Sequence, residues 1–144
     1  MAWRRYIAKN GRMKSTMRVY IGYKYSKIPN KKALINTVEG VASQLEKQGH
    51  KVFVLGRDVQ NWGKTNLHIL RKAFTIIKNL VRADRVLAIV TQEVSSKGLL
   101  FEMTIARILG KDILVALKNG VEDKKVQRFA TQTITFQNPK DIRL

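Results

Sequence analysis

The run Arg85-Val86-Leu87-Ala88-Ile89-Val90-Thr91 decides the fold, together with the stretch that follows it after a short polar loop, Ser95-Ser96-Lys97-Gly98-Leu99-Leu100-Phe101-Glu102-Met103-Thr104-Ile105-Ala106-Arg107-Ile108-Leu109-Gly110-Lys111. The first is short and continuously apolar, as a strand covered on both faces must be. The second opens on small and polar residues, continues as a helix and stops at Gly110, a C′ glycine. Asp112-Ile113-Leu114-Val115-Ala116-Leu117 then reads as the next strand. Strand, helix and strand in this order form one unit of a parallel sheet.

The same alternation runs in both directions from this unit. Upstream, Arg18-Val19-Tyr20-Ile21-Gly22-Tyr23 is β-branched and aromatic and reads as the first strand. Lys24–Asn30 is a polar loop, with Asn30 as N-cap of a helix marked by Leu34, Val38, Val41 and Leu45 and closed by Gly49. Lys51–Leu55 is a second strand and Gly56–Lys64 a longer loop. Leu67, Leu70, Phe74, Ile77 and Val81 mark a helix from about Thr65 to Arg82. Downstream, a weak helix over Val121–Phe129 and a short strand Thr133–Phe136 complete the chain. The pattern predicts an α/β fold: a flavodoxin/Rossmann-like three-layer sandwich around a central parallel sheet of about five strands. Ligands of such sheets bind beyond the carboxyl ends of the strands, where strand order reverses. The loops Gly22–Asn30, Gly56–Lys64 and Thr91–Gly98 therefore share one crevice.

The chain of 144 residues suits one domain with a single core, expected over residues 17–144. Residues 1–16 carry Arg4, Arg5, Lys9, Arg12 and Lys14 with no acid and read as a flexible basic arm. The net charge of +18 implies anionic partners, whether nucleotides, nucleic acid or acidic surfaces. No apolar run approaches the ~20 residues of a membrane span, so no membrane partner is expected. Cysteine is absent, which excludes a disulfide framework and thiolate metal sites and makes a reducing cytoplasm the default compartment. His50 and His68 have no ligand-type spacing, and no metal is expected.

Glu102 is the most informative side chain. Its helical neighbours at i−3, i+3 and i+4 are Leu99, Ile105 and Ala106, so it lies on or beside the buried stripe. Burial raises the pKa of such an acid and a nearby helix N-terminus lowers it. An ionised carboxylate there can act as nucleophile or stabilise an oxocarbenium-like centre; it can equally be the partner of Arg107, Lys97 or another cation. Ser95, Ser96, Lys97 and Gly98 precede or open the helix, where free N–H groups favour an anion, although the same residues serve simply as caps. Trp62 either covers core or stacks on a ring-shaped ligand.

Tyr20 in the first strand, Ala83-Asp84 before the third, Ser96-x-Gly98-x-x-x-Glu102, Ala106 and Gly110-Lys111 ahead of an apolar strand resemble the nucleoside 2-deoxyribosyltransferase superfamily, over most of residues 17–118. The resemblance implies a flavodoxin-like domain, dimeric or larger, that needs no cofactor and cleaves the N-glycosidic bond of a nucleoside or nucleotide. It makes Glu102 the nucleophile of a covalent glycosyl intermediate and Tyr20 its orienting partner. Ser96 stands where transferases tend to carry aspartate, and matches the branch that hydrolyses 2′-deoxynucleoside 5′-monophosphates, in which serine contacts phosphate. Gly22, Lys24, Ser26, Lys97, Gly98 and Trp62 are further candidates for substrate or phosphate contact. The superfamily also places an aspartate on the second helix, at the position of Ile76. No Asp or Glu occurs between Val59 and Ala83, and Asp58 is the candidate to assume part of that role. The alternative is a non-catalytic nucleotide- or nucleic-acid-binding protein on the same fold.

Overall fold

A computed structural model of the chain describes the backbone of residues 4–7 and 13–15, and residues 16–25, 28–62, 68–93 and 97–144 with their side chains. In chain order the elements are β1 (Arg4–Ile7), β2 (Met13–Thr16), β3 (Arg18–Tyr23), α1 (Lys31–Lys47), β4 (Lys51–Val54), α2 (Leu55–Asp58), α3 (Ile69–Arg82), β5 (Arg85–Val90), α4 (Lys97–Ile108), β6 (Asp112–Lys118), α5 (Lys124–Gln127) and β7 (Gln132–Phe136), with a 3₁₀ turn at Pro139–Asp141. Strands β3 to β7 form a wholly parallel sheet in the order β4-β3-β5-β6-β7. Strand order reverses between β3 and β5, so the crevice rule places a ligand at the ends of these two strands, near Tyr23 and Val90.

Both faces of the sheet are covered. On one, Val19, Ile21, Leu87, Ile89 and Leu114 pack against Leu34, Val38, Val41 and Leu45 of α1. On the other, Tyr20, Val86, Ala88, Val90 and Val115 pack against Ile76 and Leu80 of α3 and Leu99, Met103 and Ala106 of α4. The period-2 alternation of β3 thus sends Val19 and Ile21 one way and Tyr20 the other. Asp84 ties the starts of β3 and β5: the Arg18 N–H donates to its Oδ2 at 2.9 Å, and its own N–H donates to the Arg18 carbonyl at 2.8 Å. Gly110, at φ +69°, ends α4 in the left-handed conformation expected of a C′ glycine.

Four details differ from the sequence reading. The second sheet strand stops at Val54, and Leu55 begins the one-turn helix α2, because the Asp58 carboxylate bends back to accept from the Val54 N–H at 2.8 Å. Helix α3 starts at Ile69, with His68 Nδ1 accepting from the Leu70 N–H as its cap. The expected stripe of α3 faces outward: Leu70 is 74% and Phe74 68% exposed, while Ile76 and Leu80 meet the sheet. This helix is apolar on two faces, and only one of them is covered. Within residues 1–16, read as a flexible basic arm, an antiparallel ladder pairs Arg4 with Thr16 and Ile7 with Met13, outside the main sheet.

Candidate active site

A cavity of about 600 Å³ opens at the strand-order reversal. Its walls come from the end of β3 (Ile21, Tyr23, Tyr25), from α2 and the turn after it (Leu55, Gly56, Gln60, Trp62), from α3 (Ile69, Lys72, Ala73, Ile76) and from the first turns of α4 (Lys97, Gly98, Leu99, Phe101, Glu102). The volume suits a small organic ligand, and the mainly apolar wall with a few polar groups is typical of such sites.

Among the described residues, Glu102 is the one acid in this wall. As a residue it is half-buried, but its Oε2 is shielded from solvent and, among the described residues, accepts no hydrogen bond. The same holds for the buried hydroxyl of Tyr20, which faces the carboxyl from β3. Two polar groups thus confront each other in an apolar setting without a well-formed bond, a costly arrangement that structural needs alone do not account for. Burial pushes the Glu102 carboxyl up to about 8, against which the charge of Lys72 and the Tyr20 hydroxyl act. Burial first, and then the carboxylate of Glu102, push the hydroxyls of Tyr20 and Tyr23 well above their ordinary range, so both are donors at any physiological pH.

Two glycines make room for this cluster. A Cβ on Gly22 would lie 2.7 Å from Glu102 Oε2 and 2.9 Å from Leu99 Cδ1. Helix α4 can approach β3 closely enough to bring Glu102 beside Tyr20 only because position 22 has no side chain. A Cβ on Gly56 would lie 2.0 Å from the Tyr23 hydroxyl and 3.1 Å from the Trp62 ring. Tyr23 and Trp62 pack at a centroid distance of 6.1 Å, and the backbone N–H of Trp62 donates to the Gly56 carbonyl at 2.6 Å.

No family model and no curated protein matches the sequence. Among solved structures the chain is similar to a CMP N-glycosidase from Clostridium botulinum, with a TM-score of 0.59 and 17% identity over 85% of this chain and 92% of that one. It is also similar to the 2-deoxyribosyltransferase of Bacillus psychrosaccharolyticus, with a TM-score of 0.62 and 16% identity over 86% and 88% of the two chains. The chain shares the fold of these proteins. A 2-deoxyribosyltransferase from Leishmania mexicana matches over 69% of this chain and 63% of its own length, with a TM-score of 0.51 and 17% identity. At such identities the likeness is one of architecture, and it agrees with the flavodoxin-like domain that the sequence resemblance implied.

The structure brings together Glu102, Tyr20, Gly22, Trp62, Lys97 and Gly98. It places Lys24 elsewhere. That side chain is buried, its Nζ donates to the Gln92 carbonyl at 3.2 Å, and it forms an ion pair with Asp123, the cap of α5. Asp58 does not line the cavity either; its carboxylate accepts from the Val54 N–H and pairs with Arg57. Ser26 and Ser96 lie outside the described residues. Trp62 packs against the core and also walls the cavity. Lys72 and Tyr23 are cavity residues that the sequence reading missed. Lys72 stands one helical turn before Ile76, on the face of α3 turned to the site.

Proposed function

We propose that this chain cleaves the N-glycosidic bond of a nucleoside or nucleoside 5′-monophosphate, with water as acceptor. The observation that carries the reading is the Glu102 carboxyl at the strand-order reversal, facing the Tyr20 hydroxyl with its Oε2 shielded and without a well-formed hydrogen bond among the described residues. The ionised carboxylate attacks C1′; a C1′–O bond forms as the C1′–N bond breaks, and the base leaves with the bonding pair and gains a proton from solvent. Water then adds to C1′, the glycosyl ester breaks, and Glu102 is released as carboxylate while one proton passes to solvent. This is the two-step logic of retaining glycoside hydrolysis. Tyr20, held protonated, orients the attacking oxygen. Tyr23 and Trp62 offer aromatic walls to a nucleobase, and Lys97 and Gly98, at the N-terminus of the twelve-residue α4, suit a phosphate. The likeness in fold to a CMP N-glycosidase and a 2-deoxyribosyltransferase supports the same bond as the target.

The reading includes a second copy of the chain on the α3–α4 face. Ile69, Leu70, Phe74 and Ile108 are 76%, 74%, 68% and 74% exposed, and Ile77, Val81, Phe101 and Leu109 add to the patch. At about 200 Å² for a full aliphatic or aromatic side chain these eight expose on the order of 900 Å², comparable with the about 800 Å² each partner buries in a stable complex. Ile69 and Phe101 also wall the cavity, so a second copy seated there would close its mouth.

The test is release of free base from a panel of nucleosides and 5′-monophosphates, read by chromatography, with Glu102→Gln alongside. Turnover confined to the native enzyme supports the reading; equal turnover in the variant overturns it. Light scattering of Phe74→Lys tests the face: a dimer reduced to monomer is expected, and an unchanged mass refutes the assignment.

A further inference from the structure

Lys72 is a cation that the proposed reaction has not used. It projects from α3 into the cavity that holds Glu102, with Ala73 and Ile76 beside it. Among the described residues the ion pairs are Lys24–Asp123, Arg57–Glu46 and Arg57–Asp58, so Lys72 has no contact partner and acts on Glu102 across the cavity. The other groups facing Glu102 are the hydroxyls of Tyr20 and Tyr23 from β3; Lys97, on α4 itself, is an exposed residue of the same cavity wall. The segment that joins α2 to α3 contributes no acid, and Ile76 is buried. A shielded carboxylate in these surroundings ionises more readily with a positive charge in view.

We propose that Lys72 is the positioning residue that keeps Glu102 ionisable: its ammonium, one turn before Ile76 on the same helix face, supplies the counter-charge to this carboxyl across the cavity. The inference rests on Glu102 being the reacting group. Burial and Lys72 oppose each other on this carboxyl, with burial the larger, which agrees with a cation held at a distance rather than in contact. The arrangement also makes the site responsive to what binds. A ligand anion that settled on Lys72 would silence it and favour the protonated acid.

The experiment follows the Glu102 side-chain carboxyl by carbon-detected NMR titration, in the native protein and in Lys72→Met and Lys72→Arg, and measures base release against pH for the same proteins. Removing the charge should raise the midpoint by roughly one pH unit. The rising limb of kcat/KM should move by the same amount, with about a tenfold loss at neutral pH, and Lys72→Arg should restore both. An unchanged midpoint in Lys72→Met overturns the inference. A midpoint that moves in a protein that releases no base supports the Lys72–Glu102 coupling and removes the hydrolase reading, so the two failures are distinct.

Discussion

Replacing Glu102 with glutamine should change how stability depends on pH. The carboxyl binds its proton more tightly folded than unfolded, with a folded value pushed from 4.5 up to about 8. Stability therefore falls as pH rises from about the unfolded value to the folded one, and levels off above it. The slope over that window is about 1.4 kcal/mol per pH unit, so by pH 7 this one group removes on the order of 3 kcal/mol from the stability present below pH 4. Glutamine keeps the shape and carries no charge. Native protein and Glu102→Gln should have similar stability at pH 4.5, and the variant should be the more stable by about 3 kcal/mol at pH 7, a large share of an ordinary folding free energy. Urea unfolding at half-unit steps from pH 4.5 to 8.5 reads the difference directly. A difference that does not vary with pH would refute the view that Glu102 is held shielded at the expense of the fold.

Three further outcomes follow from the geometry. Gly22→Ala places a methyl 2.7 Å from Glu102 Oε2; the carboxyl must move, base release should fall at least tenfold, and unfolding should show a loss of roughly 1–3 kcal/mol from overpacking. Asp123→Asn leaves the buried Lys24 ammonium without its counter-ion, which should cost about 3–5 kcal/mol; adding Lys24→Met should recover most of it in thermal melts. Gly56→Ala collides with the Tyr23 hydroxyl, so its loss of stability should shrink in the double variant with Tyr23→Phe, and equal losses in the two backgrounds would refute the contact.

The parallel sheet was legible in the sequence because the strands at 85–91 and 112–117 are buried on both faces and so read as unbroken apolar runs. Glu102 was legible for the converse reason: an acid among Leu99, Ile105 and Ala106 is expensive, and expense marks function. The α3 stripe was not. Periodicity gives the face that is apolar, and where Leu70, Phe74 and Val81 compete with Ile76 and Leu80 it cannot say which face the sheet takes. Lys24 and Asp58 were read as site residues from their loops, yet each is held by a local partner, Asp123 and the Val54 N–H, that only three-dimensional placement reveals. Lys72 was passed over because a lysine on an exposed-looking helix carries no signal until Glu102 is seen across the cavity from it.

The most direct measurement is chromatographic detection of free base after incubation of the native enzyme and Glu102→Gln with nucleosides and their 5′-monophosphates. The expected result is base release by the native enzyme, absent in Glu102→Gln, with both proteins folded and the ligand still bound by the variant. Base release that persists in Glu102→Gln, or no release from any member of the panel by the native enzyme, would contradict the assignment of Glu102 as nucleophile of an N-glycosidase.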